Sequence, residues 1–286
     1  MAQPESAPQY RLVVFDSLEP DELPPARELF CRVTGMHPTD ATQWLARTPG
    51  VWPRPLPEDH VRALLDGLYD LRVAAEAWRA DQFPELGPAR TIHDGACLEG
   101  GFRTTGLRGE PTHWVPWDKV ELISAGRVAA DDEYRAANPP PWVSTLSMGL
   151  RALTLRAPKP LERRSRASRL PRAPVGEVLI VRADPRIAFR IVENQMNYAA
   201  LGDRLRPSAA ENFPIFLADL CARANRATLT PPTQAILAAH AAGDDAEANL
   251  EEMVFPSSQA LLDYTTHRLL WAWYSRDRDA RNRTEM

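Results

Sequence analysis

The sequence predicts an α+β protein built from at least two small modules. Three observations carry that prediction. Short apolar, β-branched runs alternate with segments whose apolar residues recur at helical spacing. The chain has 286 residues, enough for about two domains. A stretch with two prolines and a glycine, residues 81–90, separates a helix-rich first part from a strand-rich middle.

Residues 1–9 read as a disordered lead. Tyr10 to Phe15 is a nearly continuous apolar run of strand length, and the acidic stretch Asp16–Asp21 with Pro20 ends it. Leu23, Ala26, Leu29, Phe30 and Val33 share one helical face, and Gly35 supplies the C-terminal cap. Pro38 suits the first turn of a second helix, with Ala41, Trp44 and Leu45 inward. Residues 48–55 read as a rigid, proline-rich loop. Val61, Leu64, Leu65 and Leu68 mark a third helix, and Leu71 to Arg79 a closing strand. The first module, 10–80, is thus strand, helix, helix, helix, strand, followed by a linker at 81–90.

Residues 91–128 are rich in Gly, Thr and aromatics, which predicts short antiparallel strands. Strands resume at Glu177–Arg182 and Arg186–Val192. Phe213, Phe216, Leu217, Leu220 and Cys221 define an amphipathic helix. Ser208 and Glu211 have capping-box spacing. Pro214 lies deep for a helix starting there, so Asn212 is the expected cap. The rest, 228–286, reads as a helical tail. Thr230-Pro-Pro opens one helix, Gly243 closes it, and Ser257 or Ser258 caps the last.

Between the strands, about 130–174, lies an insertion: a polar stretch ending in three prolines, an ambiguous 142–155, and a basic segment. Residues 156–172 hold seven basic residues, Arg156, Lys159, Arg163, Arg164, Arg166, Arg169 and Arg172, against one acid, Glu162. With a net charge of −4 for the whole, that segment is +6 and the remainder −10. Its three prolines and lack of core formers predict a disordered, exposed loop. Arg163, Arg164, Arg166, Arg169 and Arg172 are the candidate binding residues, for anionic lipid or nucleic acid. Arg163-Arg164-Ser165 also has the look of a basophilic kinase site.

Strong catalytic motifs are missing: there is no Gly-rich phosphate loop, C-x-x-C, H-E-x-x-H or G-x-S-x-G. His93 and Cys97 would share one face of a strand, with His113 as a third donor, but a zinc site wants about four ligands. They read as a satisfied histidine and a buried cysteine, so no metal and no cofactor is expected. A Cys–His nucleophile from the same pair lacks an orienting third group. Cys31, Cys97 and Cys221 are odd in number and far apart, which argues for a reducing compartment. No signal peptide is recognisable at the start. The longest apolar run, Leu269 to Tyr274, is far short of the roughly 20 residues of a membrane helix. The expected location is cytoplasmic. Trp117 is expected in a core, and Trp271, Trp273 and Tyr274 on a helix face packed against the body rather than in a docking patch.

The words Val33-Thr34-Gly35, Asp40-Ala41-Thr42-Gln43-Trp44-Leu45, Thr48-Pro49 and Pro57-Glu58-Asp59, with the strand through Trp78, resemble a fold of two families. One is the C-terminal domain of the bacterial ribosomal stalk protein; the other is the protease adaptor ClpS, with Met36 and Ala41-Thr42-Gln43. The stalk domain docks translation factors through basic residues on its first two helices, where this sequence has Glu28, Cys31 and Thr42. ClpS reads an N-terminal residue with an Asn-Asp pair and a histidine, where this sequence has Phe15-Asp16 and about Pro49. The resemblance implies the fold and neither activity.

Residues 89–227, around Val115-Pro116-Trp117-Asp118-Lys119-Val120-Glu121-Leu122-Ile123, resemble bacterial PH-like domains. That implies a β-barrel with a C-terminal helix, binding peptides, proteins or lipid head groups without a shared catalytic residue. These readings combine into a non-enzymatic, cytoplasmic adaptor or scaffold for protein–protein interaction. The alternatives are a peripheral binder of anionic lipid or nucleic acid through 156–172, and an enzyme of unrecognised chemistry.

Overall fold

The computed structural model describes residues 7–105, 112–129, 173–243 and 254–284. The class is α+β. The chain divides into two units: residues 1–87 with 263–286, and residues 88–262.

The first unit is organised by β1 (Gln9–Val14). Helix α1 (Leu23–Thr34) follows and ends at Gly35, whose φ of 69° is the left-handed cap that a residue without Cβ adopts freely. Then come α2 (Pro38–Leu45), the two-residue strands β2 (Gly50–Val51) and β3 (Leu56–Pro57), α3 (Glu58–Asp70) and β4 (Ala75–Arg79). β1 is central: β4 runs antiparallel along one edge, and β2 and β3 share the other. The loop expected at 48–55 therefore contributes ladder pairs, Val13 opposite Val51 and Tyr10 opposite Leu56.

Alternation along β1 gives the sheet two faces. Leu12 and Val14 meet the three helices in a core containing Phe30, Trp44 and Trp52. Their rings lie 4.6–5.3 Å apart. Val13 and Phe15 point the other way, into a second cluster with Val51, Phe83, Leu270 and Tyr274. Leu270 and Tyr274 belong to the long C-terminal helix (Ser258–Thr284), which Ser257 caps through the Ala260 N–H at 3.1 Å. Tyr274 donates to Glu76 Oε1 at 2.6 Å, and its ring lies edge-on to Trp78. The expected packing of the Trp271–Tyr274 cluster on the body is what is seen. The expected tail, 228–286, forms no unit of its own. It is divided at residue 262, because the apolar face of the helix beyond that point completes the first unit's sheet.

The second unit contains β5 (Arg90–Ile92), β6 (Gly95–Cys97), β7 (Gly101–Thr104), β8 (His113–Pro116), β9 (Val120–Val128), β10 (Val175–Arg182) and β11 (Ile187–Val192). Helix α4 (Ala209–Arg223), β12 (Thr228–Leu229), α5 (Pro231–Ala242) and β13 (Val254–Phe255) follow. Rather than one closed barrel, the described strands form two sheets. The larger runs β12-β9-β10-β11-β5 with β13 also on β9, and the smaller runs β6-β7-β8. Phe102 and Val115 of the small sheet, Ile123, Ile180 and Phe189 of the large one, and Phe213, Phe216 and Leu220 of α4 share one core.

Helix α4 starts one turn earlier than expected. Ser208 is the cap and forms a complete capping box with Glu211, and Pro214 sits inside the helix. Asn212 is buried instead of capping: its Oδ1 accepts from Arg206 N–H, and its Nδ2 donates to the Arg206 and Ser208 carbonyls. That stitching holds the entry turn while Pro214 forgoes one helical hydrogen bond. Most of the expected insertion, residues 130–172, lies outside the described residues.

Candidate protein-docking face

The small sheet of the second unit is built from a hairpin, β6–β7, plus β8. Phe102 and Val115 point to the core and are fully buried. The alternate residues point outward: Ala96 pairs with Arg103, and Arg103 with Trp114. Trp114 is 45% exposed and Leu98, at the hairpin turn, 37%. Two glycines make room for the indole. A Cβ at Gly101 would stand 2.8 Å from the Trp114 ring, and one at Gly100 3.5 Å from it. Only a residue without a side chain at 101 lets the ring lie against the backbone. Beside it Trp117, half-buried, donates its Nε1–H to the Leu98 carbonyl at 2.9 Å. That corrects the expectation of a core position: Trp117 sits at the margin of the core, and Val115 is the buried residue of that phrase.

The outer edge of β8 is also partly occupied. Pro116 has no N–H, so its pair with Gly101 is a non-hydrogen-bonded one, and by alternation Trp114 turns its own N–H and C=O away from β7. Arg182 Nη1 donates to that carbonyl at 3.4 Å. The accessible feature is therefore the face, not the strand edge. An exposed Trp held in place, with an adjacent Leu and neighbouring arginines, has the composition of an interface anchor.

The chemistry-bearing residues singled out in the sequence stand elsewhere. His93 lies between β5 and β6 rather than on one strand with Cys97, and its Nδ1 is 3.2 Å from the Gln195 carbonyl. Arg90 approaches His113 Nε2 at 3.1 Å. Burial first, then the charges of Arg90 and Arg182, push the His113 pKa down. Burial pushes the Cys97 and Cys221 thiols up to about 12, away from thiolate chemistry. Among the described residues no three His, Cys, Asp or Glu side chains gather as metal donors.

Two concavities were not foreseen from the sequence. One, about 130 Å³, is lined by Cys97, Arg204 and Asp219, and there Arg204 forms a bidentate pair with Asp219. The other, a groove between α4 and α5, includes Arg127, whose charge is taken by Glu193 at 2.6 Å. Glu28 and Thr42, at the stalk-like positions, are exposed. Thr42 Oγ1 donates within its own helix to Pro38, and Asp16 accepts from Ala74 N–H at 3.0 Å. Arg163, Arg164, Arg166, Arg169 and Arg172 lie outside the described residues.

The face was hidden in the sequence because it depends on register. Only the pairing of Arg103 with Trp114 and of Gly101 with Pro116 shows which residues share it. The adjacent glycines at 100–101 before an aromatic strand were the one visible signal. Comparison with known protein families, with characterised proteins and with solved structures finds no match to this chain. Among the described residues no helix is long and apolar enough to cross a membrane.

Proposed function

We propose that the chain is a non-enzymatic, cytoplasmic adaptor or scaffold that engages a protein partner through the outer face of β6–β8. The observation that carries this reading is Trp114, 45% exposed yet seated on Gly101 with Leu98 beside it. A solvated aromatic held rigid loses little side-chain freedom on binding, which is what makes Trp an effective interface anchor. Burial of the Cys97 and Cys221 thiols speaks against thiolate chemistry at these two positions. Free Cys31, Cys97 and Cys221 support a reducing location. The order β1-α1-α2-β2-β3-α3-β4, which is strand, helix, helix, helix, strand apart from the two-residue β2 and β3, supports the stalk- and ClpS-like reading. Seven strands from β5 to β11 followed by α4 support the PH-like one.

The test places a photo-crosslinking residue at Leu98 and, as control, at Tyr69, which is 83% exposed in the first unit. A discrete crosslinked protein from Leu98 only, lost in Trp114→Ala and reproduced with that protein purified, is expected. Equal crosslinking from both positions, or none from Leu98, refutes the reading.

A further inference from the structure

The charges around the docking face define what the partner must carry. Arg103 and Arg182 stand beside Trp114, and Arg223, which also lines the concavity that holds Asp219, reaches Leu98. Arg103 is exposed and stands opposite Trp114 in the ladder. Arg182 donates to the carbonyls of Pro185 at 3.1 Å and Trp114 at 3.4 Å. Arg223 donates to the Leu98 carbonyl at 3.2 Å. Among the described residues none of the three is paired with a carboxylate. Other arginines of the same unit are: Arg127 with Glu193, Arg186 with Glu121 and Arg204 with Asp219. A carbonyl orients a guanidinium without cancelling its charge, and each of these keeps N–H donors to spare out of five. Glu99, Asp118 and Asp184 are the exposed acids nearby in sequence, and with exposed Lys119 added to the three arginines basic residues still outnumber them.

We infer that the face takes an acidic protein segment: an aromatic or aliphatic anchor against Trp114 and Leu98, flanked by carboxylates that reach Arg103, Arg182 and Arg223. This rests on the docking reading above and specifies its partner. Two of the guanidiniums, those of Arg182 and Arg223, are already oriented by backbone carbonyls, so less side-chain order remains to be imposed on binding. The chain's own segment 156–172, at seven basic residues to one acid, has the wrong sign to occupy the face. A single nucleic-acid strand is the weaker fit. It calls for a basic track following successive phosphates, whereas only Arg103 and Arg182 stand beside the exposed aromatic.

The test uses the full chain and four fluorescent probes in anisotropy titrations. These are a short peptide with one Trp among glutamates, its glutamine and lysine counterparts, and oligouridylate. The glutamate peptide is expected to bind about tenfold tighter than the glutamine peptide at low salt, with the gap narrowing as salt rises. The lysine peptide should not bind. Arg103→Gln and Arg182→Gln should each weaken the glutamate peptide severalfold while leaving the glutamine peptide unchanged, and Trp114→Ala should weaken both. Equal binding of glutamate and glutamine peptides, both lost in Trp114→Ala, would overturn the acidic inference and leave the docking reading standing. Tighter binding of oligouridylate, or peptide binding untouched by Trp114→Ala, would overturn both. So would the absence of binding by any peptide.

Discussion

His267 is the residue through which pH should act on the first unit. Its ring is 3% exposed and, among the described residues, neither nitrogen has a hydrogen-bond partner. It fills the space that a side chain at residue 50 would need: a Cβ on Gly50 would stand 2.0 Å from Nε2. Burial first, then the positive charges of Arg268 and Arg47, push its pKa from the ordinary 6.5 down to about 4. The imidazole is therefore neutral in the folded protein, and the unfolded chain takes up the proton first as pH falls. The contribution is complete above pH about 6.5 and drains away between there and about 4. Below that both states are charged and nothing more is lost. That separation corresponds to about 3 kcal/mol.

His267→Leu removes the titration and two buried unpartnered nitrogens. The difference in stability between variant and wild type should therefore widen by about 3 kcal/mol from pH 7 to pH 4. The two units need not unfold together, so the readout should be local. Hydrogen-exchange protection of residues 9–14 and 263–275, compared between the two proteins at each pH, supplies it. Parallel pH dependence in both would show that His267 is not buried neutral. A second arm tests the geometry. Gly50→Ala should destabilise the wild type, and His267→Ala should relieve part of that cost, leaving a coupling of about 1 kcal/mol or more. Strictly additive effects would refute the contact.

Three further outcomes follow from the packing. Residues 1–87 expressed alone should give a poorly dispersed amide spectrum, and joining 263–284 to them through a Gly-Ser linker should restore dispersion. A well-dispersed spectrum without the helix would show its cover to be dispensable. Phe102→Ala should lower the urea stability of the second unit by about 3–5 kcal/mol, but Trp117→Ala by only about 2, since its ring packs against the margin of the core rather than inside it. Equal losses would return Trp117 to the core. Glu193→Ala strands the Arg127 guanidinium and the Gly176 N–H, which lie 2.6 and 2.9 Å from its Oε2, and should cost about 3 kcal/mol. Glu193→Gln, which keeps an acceptor, should cost less by the same urea assay.

Much of the fold could be read locally. The helices at Leu23, Pro38 and Glu58 announce themselves by apolar spacing, and Gly35 and Pro38 by their restricted or permitted φ. The reading stopped where position depends on partners distant in the chain. β2 and β3 are two-residue strands within a proline-rich stretch, too short for any periodicity, and exist only because β1 offers its edge. At α4, Pro214 opposes a helix start at Ser208 on local grounds. Three hydrogen bonds of the Asn212 side chain, visible only in the folded entry turn, outweigh it. Arginines look alike in sequence; which are neutralised depends on carboxylates some 15 to 66 residues away, as with Asp219 and Glu193.

The interrupted course of the first unit has a consequence during synthesis. Roughly 175 residues separate Gly87 from Asp263, which at about 5–20 residues per second takes roughly 9 to 35 s to translate. For that interval the nascent chain carries β1 and β4 without the helix that will cover Val13, Val51 and Phe83. Apolar segments waiting tens of seconds for the piece that completes their fold are open to other strands and to chaperones. Arg11, set among those apolar neighbours on the same strand and donating to the Trp52 and Pro53 carbonyls, places a charge on the waiting segment. It would discourage premature pairing there until the ribosome delivers the cover.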